Sequence, residues 1–239
     1  RDLHLLSRRQ RQMCIRDRNN SIDSVLLPTL SSAQDDRERV KNMTRRAIKT
    51  STYIMAPLMM GLAFCATPIV RLILTEKWLP CVPYLQIFCI TYMFWPIHTA
   101  NLNAINAMGR SDYFLKLEIA KKAIGMILLL STMHFGVMVM AYSLLVSTVT
   151  SMIINSWPNK TLLGYSFKEQ MVDIFPGIFL ALIMGIAISL IRLLMLPDIV
   201  TLAIQILVGA AIYIGLSAIF KVESFEYLWN MVKSVLNKK

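Results

Sequence analysis

Long apolar stretches separated by short clusters of basic residues constrain this chain more than any other feature of its sequence. A helix of about 20 apolar residues is long enough to cross the roughly 30 Å hydrocarbon core of a bilayer. We therefore predict about six transmembrane helices, near residues 51–74, 82–107, 113–133, 136–157, 172–195 and 199–220. The pattern predicts an all-α integral membrane protein.

The composition excludes an ordinary soluble domain. Hydrophobic residues make up 56% of the chain and charged residues 16%, whereas soluble domains carry about 25% charged residues. A net charge of +11 would favour nucleic-acid binding if the basic residues gathered on one folded face. They are instead interspersed between apolar runs, so no nucleic-acid partner is predicted.

The chain divides into four predicted segments. Residues 1–18 have no initiator Met and no apolar core, and "QMCIRDR" resembles translated adaptor read-through, so we expect a non-native leader; a genuine basic cytoplasmic arm is the alternative. Residues 19–50 are expected to be the end of a preceding helix and a basic cytoplasmic loop. Residues 51–220 form the predicted six-helix bundle, and residues 221–239 an amphipathic cytoplasmic tail that contacts membrane lipids.

The distribution of basic residues predicts the orientation of the helices. From residue 37 onwards, sixteen Lys and Arg residues fall on the side of the opening basic segment, and three, Arg71, Lys77 and Arg192, fall on the other side. Loops rich in Lys and Arg stay in the cytoplasm. The opening segment and the C-terminus are therefore predicted to be cytoplasmic.

The same topology argues against an enzyme. The predicted outer connections, near residues 75–81, 134–135 and 196–198, are too short to hold a catalytic domain. Carboxylates fall at or near helix ends, and general acid–base chemistry needs a positioned proton carrier. The sequence has no CxxC pair and no His cluster, so no metal site and no cofactor is predicted.

Two lysines provide the first candidate site residues. The 35 residues from Ala123 to Trp157 are too few for two full crossings, so the third helix must start earlier and draws Lys121 and Lys122 towards the membrane. Glu118 lies four residues before Lys122 and is predicted to pair with it. These lysines either extend to the cytoplasmic interface or form a basic wall that contacts an anionic substrate.

The second predicted span is unusually polar. It contains His98, Asn101 and Asn103, and Pro96 is expected to break its backbone ladder near the middle. Polar side chains on a broken membrane helix either line a cavity or form hydrogen bonds between helices. Ligand binding and proton coupling are both open for His98.

Three segments resemble the C-terminal half of bacterial polysaccharide transporters, the O-antigen and capsule flippases of the multidrug/oligosaccharidyl-lipid/polysaccharide exporter superfamily. They are "VLLPTLSSAQDDRERVKNMTRRAIKTSTYIMAPLMMGLA", "LILTEKWLPCVPYLQIFC" and "NAINAMGRSDYFLKLEIAKKAIG". The resemblance covers residues 20–239. It implies the C-terminal bundle of a MATE-like transporter with about fourteen helices in two bundles, and hence an N-terminal bundle as partner.

The resemblance also implies a function. Family members move undecaprenyl-diphosphate-linked oligosaccharide across the bacterial inner membrane by alternating access, and polysaccharide polymerase machinery is a further implied partner. Lys121, Lys122, His98, Asn101 and Asn103 are our candidates for the surface that binds the head group. The alternatives are a cation-coupled multidrug exporter of the same superfamily, or a membrane scaffold or glycan enzyme that transports nothing.

Overall fold

The protein is described by a computed structural model that covers residues 28–31, 36–194 and 196–236, so the expected leader at 1–18 lies outside the described residues. The elements in these ranges are helices. We number the α-helices α1 Arg37–Phe64, α2 Ala66–Leu74, α3 Val82–Met93, α4 Trp95–Ala107, α5 Ser111–Thr132, α6 Val137–Leu163, α7 Phe167–Ile191, α8 Asp198–Ile219 and α9 Glu223–Leu236. Short 3₁₀ turns follow α2, α5 and α7, at Glu76–Cys81, Met133–Phe135 and Arg192–Leu194.

Three of the described helices are long and apolar enough to cross a membrane by themselves: α6, α7 with its 3₁₀ turn, and α8. The bent pair α1 and α2 forms a fourth if it is taken as one broken span. The α3–α4 pair and α5 occupy the remaining predicted ranges; α3 and α4 are each short, and α5 carries several charges in its first half. The number of six spans therefore stays a prediction.

Helix α1 begins well before the first predicted span. The Asp36 carboxylate caps it by accepting a hydrogen bond from the Arg39 backbone N–H at 3.0 Å, which satisfies one of the unpaired donors of the first turn. Residues 37–50, for which a loop was expected, form the first half of this helix. The basic residues 37–50 and the apolar residues that follow them thus lie on one continuous helix.

Two prolines mark the breaks between α1 and α2 and between α3 and α4. Pro68 has no N–H to offer the carbonyl of Phe64, and α1 ends there, with α2 leaving at an angle of 65°. Pro96 likewise offers no donor to the carbonyl of Tyr92, and α3 ends at Met93. The break that the sequence predicts at Pro96 is confirmed.

A third proline lies inside α1, and a neighbouring helix compensates for it. Pro57 cannot donate to the Tyr53 carbonyl one turn earlier. The Tyr213 hydroxyl of α8 donates to that carbonyl at 2.8 Å, and both tyrosines are buried. A buried carbonyl without a partner is costly, so this bond replaces the helical one and ties α8 to α1.

Helix α1 is the central element of the described part. It contacts α7, α3 and α4 along its length, and α9 near its basic end. One apolar core joins α1, α4, α6 and α7, and a second joins α1, α3, α7 and α8. Helix α6 packs against α5 and also contacts α1, α3, α4 and α7, whereas α5 contacts α4 and α6 and lies at one side of the described part.

We expect Tyr213→Phe to destabilise the protein by about 1–3 kcal/mol, because it leaves the Tyr53 carbonyl buried without a donor. Pro57→Ala restores a backbone donor for that carbonyl, so Tyr213→Phe should cost much less in that background. The measurement is a double-mutant cycle of thermal unfolding in detergent, with the exposed Tyr142→Phe as control. Additive effects of the two substitutions would contradict this account.

Candidate functional site

A groove of about 380 Å³ lies between α3, α4, α5 and α6. Three of the five predicted site residues, His98, Lys121 and Lys122, lie on its walls. Hydroxyl side chains of α6 and aromatic side chains at the end of α3 and the start of α4 complete the lining: Ser147, Thr148, Ser151, Tyr92 and Trp95. The groove therefore combines cations, hydroxyls and aromatic rings.

The two lysines occupy different positions on the α5 wall. The side chain of Lys121 is 14% exposed and forms an ion pair with Glu118, one turn earlier on the same helix. Lys122 is exposed. The predicted pairing of Glu118 with Lys122 is wrong, because residues three apart also share a helix face and the structure directs Glu118 to Lys121.

His98 faces the groove from α4 and is half-buried. Its ring nitrogen Nδ1 lies 3.1 Å from the side-chain nitrogen Nδ2 of Asn155 on α6. The imidazole is therefore anchored through Nδ1, and its other nitrogen, Nε2, makes no hydrogen bond within the described part of the protein.

Asn101 lies away from the groove, in a buried network between helices. Its amide forms a reciprocal pair with Gln170 of α7: Asn101 Nδ2 donates to Gln170 Oε1 at 2.8 Å, and Gln170 Nε2 donates to Asn101 Oδ1 at 3.1 Å. Both side chains are fully buried. Asn101 therefore forms hydrogen bonds between helices, the alternative that its sequence position left open. Asn103 is also buried and is not among the groove residues.

Two residues of α6 complete this network. Asn159 Nδ2 donates to Asn101 Oδ1 at 2.6 Å, and Ser156 Oγ donates to Gln170 Oε1 at 3.0 Å. Sequence reasoning did not select these residues or Gln170. The available signal was the spacing of Asn155, Ser156 and Asn159, which places three polar side chains on one face of an apolar helix.

A second polar cluster lies near the start of α7. Arg45 of α1 makes two hydrogen bonds of 2.7 Å to the Asp173 carboxylate, the Tyr165 hydroxyl donates to it at 2.8 Å, and Lys49 Nζ lies 3.6 Å away. Lys49 also pairs with Glu223 of α9. The Asp173 side chain is 4% exposed, and its partners account for the burial of this charge. The cluster fixes α1, α7 and α9 to one another.

The groove has the chemistry of a binding site for a polar anion. Ammonium groups and an imidazole attract phosphate or carboxylate oxygens, and hydroxyls of α6 add hydrogen-bonding groups. Within residues 28–31, 36–194 and 196–236, no group of three or more His, Cys, Asp or Glu side chains could hold a metal ion.

Comparisons with known proteins agree with the observed fold. A protein family described as "Polysaccharide biosynthesis protein" matches residues 4–83. An "Uncharacterized membrane protein in cps region" of Klebsiella pneumoniae is 28% identical over 81% of this chain and 40% of its own length. The "Lipopolysaccharide biosynthesis protein WzxC" of Escherichia coli K12 is 24% identical over 69% of this chain and 34% of its own length.

A solved structure titled "Lipid II flippase MurJ, inward closed conformation" has the same fold, with a TM-score of 0.67 and 22% identity over 84% of this chain and 42% of that one. The chain thus spans between about a third and two fifths of the length of these three proteins. These matches confirm the resemblance to polysaccharide transporters of the multidrug/oligosaccharidyl-lipid/polysaccharide exporter superfamily. The chain is an all-α, multi-pass membrane protein, as its sequence predicts.

We expect Gln170→Leu to destabilise the protein by about 1–3 kcal/mol, because it removes two hydrogen bonds of the buried Asn101 amide and one acceptor of the buried Ser156 hydroxyl. The control is Lys168→Met, an exposed position on the same helix. The thermal unfolding midpoint should fall by several degrees for Gln170→Leu and stay constant for the control. Equal midpoints would show that the network contributes little to stability.

Proposed function

We propose that this chain is the C-terminal bundle of a flippase that transfers undecaprenyl-diphosphate-linked oligosaccharide from the cytoplasmic to the periplasmic leaflet by alternating access. The groove between α3, α4, α5 and α6 binds the diphosphate–sugar head group. The observation that carries this proposal is the gathering of Lys121, Lys122 and His98 on one groove in a chain whose helices are otherwise mostly apolar.

Electrostatics explains how such a groove can bind and release an anion. A lysine at the centre of a bilayer costs about 2.5–3.5 kcal/mol on insertion scales, and the ion pair with Glu118 reduces that cost when no substrate is bound. A diphosphate competes with Glu118 for Lys121 and also engages the exposed Lys122. Binding is then an exchange of one anion for another.

The remaining lining suits a saccharide. Trp95 is 57% exposed and Tyr92 is also exposed at the same groove, so both rings present apolar faces beside polar tips. Thr148 and Ser147 lie on the opposite wall, on α6. A sugar ring has apolar C–H faces and a rim of hydroxyls, and this lining offers partners for both.

The matched proteins support this reading. One relative is named for lipopolysaccharide biosynthesis, and the solved structure with the same fold is titled a lipid II flippase. We take a saccharide linked to a lipid as the substrate class that fits both names. In the proposed activity the substrate changes leaflet and no covalent bond is made or broken, so the protein is a transporter and not an enzyme. The N-terminal bundle supplies the opposite wall of the cavity, and the polymerase machinery receives the product.

The proposed location is the bacterial inner membrane, with the C-terminus in the cytoplasm. The excess of basic residues on one side supports this orientation. Residues 51–220 then form the transmembrane bundle, and residues 221–239, which include helix α9, form the cytoplasmic tail.

We expect Lys121→Ala with Lys122→Ala, in the full-length protein, to lower surface polysaccharide at least tenfold in a complemented flippase-null strain, because the groove loses both ammonium groups. The matched control is Lys160→Ala with Lys168→Ala, two exposed lysines on the same predicted side but outside the groove. Membrane insertion should be normal in both. Normal surface polysaccharide in the groove variant would remove these lysines from the mechanism.

Glu118→Gln separates substrate binding from a structural role of the ion pair. If export requires the Lys121–Glu118 ion pair itself as a structural contact, Glu118→Gln should impair export as much as Lys121→Ala does. On our proposal Glu118→Gln frees Lys121 for the substrate, so export should be retained while Lys121→Ala reduces it. The two single variants are compared in the same complementation assay.

The orientation is tested by cysteine labelling in a cysteine-free background. We expect Lys77→Cys to react with a membrane-impermeant maleimide in spheroplasts, and Lys160→Cys to react only after the membrane is permeabilised. Both side chains are exposed, so access depends on the side of the membrane. The reverse pattern would overturn the proposed topology.

A further inference from the structure

We propose that Asn155 is a positioning residue for His98: it holds the imidazole in the tautomer that presents Nε2–H to the groove. This inference rests on the proposed function in one respect, since it assigns the groove to an anionic head group. The contact between Asn155 and His98 on which it is based does not depend on the proposed function.

The tautomer follows from the contact between the two side chains. Asn155 Nδ2 lies 3.1 Å from His98 Nδ1. An amide nitrogen carries hydrogens and can only donate, so Nδ1 must accept. A neutral imidazole has a single N–H, and with Nδ1 accepting, that proton resides on Nε2.

The surroundings of Asn155 keep this contact in place. Asn155 is fully buried on α6, and the next residue, Ser156, and Asn159 one turn later both join the buried amide network. That network reaches Asn101, three residues after His98 on α4. The two helices are therefore pinned beside the imidazole, and the position of Asn155 relative to the ring is set by several bonds.

Hydrogen bonds satisfy the side-chain amide of Asn155 only in part. Its Oδ1 has no hydrogen-bond partner in the described part of the protein, and its Nδ2 contacts His98. A buried polar atom without a partner calls for an explanation. Orientation of the imidazole supplies one.

For binding, the consequence is that the groove presents N–H donors to a ligand whose oxygens are hydrogen-bond acceptors. Lys121 and Lys122 offer N–H donors across the groove from His98, and Nε2–H adds a third donor of the same kind. Glu118 is the carboxylate on the same wall and is paired with Lys121. The opposite tautomer would turn a lone pair of Nε2 towards the phosphate oxygens, which repel it. The expected tautomer therefore favours a ligand that has many acceptor oxygens.

The test is ¹⁵N NMR of the full-length protein labelled at histidine and held in nanodiscs at about pH 8, above the ordinary histidine pKa of about 6.5. The resonances of His98 are identified by their loss in His98→Gln. The wild type should show a protonated Nε2 and an unprotonated Nδ1. Asn155→Leu should show a mixture of tautomers, and Asn155→Asp should move the proton to Nδ1, because a carboxylate only accepts.

Gln205→Leu is the control, since it removes a buried side-chain amide of α8 that donates to the Ile188 carbonyl at 3.0 Å and is not part of the network beside Asn155. It should lower stability and leave the His98 tautomer unchanged. A wild-type spectrum with the proton on Nδ1, or an Asn155→Leu spectrum identical to the wild type, would overturn the inference.

A titration with inorganic pyrophosphate separates this inference from the proposed function. Pyrophosphate should shift the Nε2 resonance of the wild type, and its affinity should fall about tenfold in Asn155→Leu, as expected for loss of about 1.4 kcal/mol of binding. If pyrophosphate fails to bind a wild type that has the expected tautomer, the proposed function is wrong and the role of Asn155 in orienting His98 stands.

Discussion

The absence of water in a bilayer core is the constraint on which the rest of this structure depends, because each backbone carbonyl there must find a donor within the protein. Prolines and helix breaks remove such donors at several points along the helices, and side chains of neighbouring helices supply new donors at Pro57 and at the break after α1. Tyr213 donates to the Tyr53 carbonyl opposite Pro57, and Gln86 donates to the Ala63 carbonyl at 3.1 Å near the end of α1. The same bonds that satisfy the backbone therefore also determine which helices pack together.

Polar side chains within the helices divide into two groups with different tasks. Asn101 and Gln170 are completely buried, and their side-chain amides form hydrogen bonds with each other. Such a network specifies how α4, α6 and α7 pack. Lys121, Lys122 and His98 keep part of their hydrogen-bonding capacity directed into the groove. Asn155 lies between the two groups, because it belongs to the helix of the network and touches a residue of the groove.

Much of this fold could be predicted from the sequence, because span length, proline position and charge asymmetry are local properties. The break at Pro96 follows from the position of the proline, and the choice of His98 and the α5 lysines as candidates follows from their polarity within or next to apolar spans. The helical course of residues 37–50 was missed because basic residues were taken as a loop signal, although most are good helix formers. The partner of Glu118 and the burial of Asn101 could not be predicted, since each depends on the rotation of one helix against another.

The continuity of α1 has a mechanical consequence. A helix of 28 residues is about 42 Å long, and its charged half continues into its apolar half as far as Pro57 without a break. The segment from Arg37 to Pro57 is about 30 Å long, so tilting it by about 10° around Pro57 displaces its charged end by about 5 Å. Arg45 and Lys49 lie on this arm and are attached to α7 and α9. A small rotation within the membrane is thereby magnified into a movement of charged side chains at the opposite end of the rod.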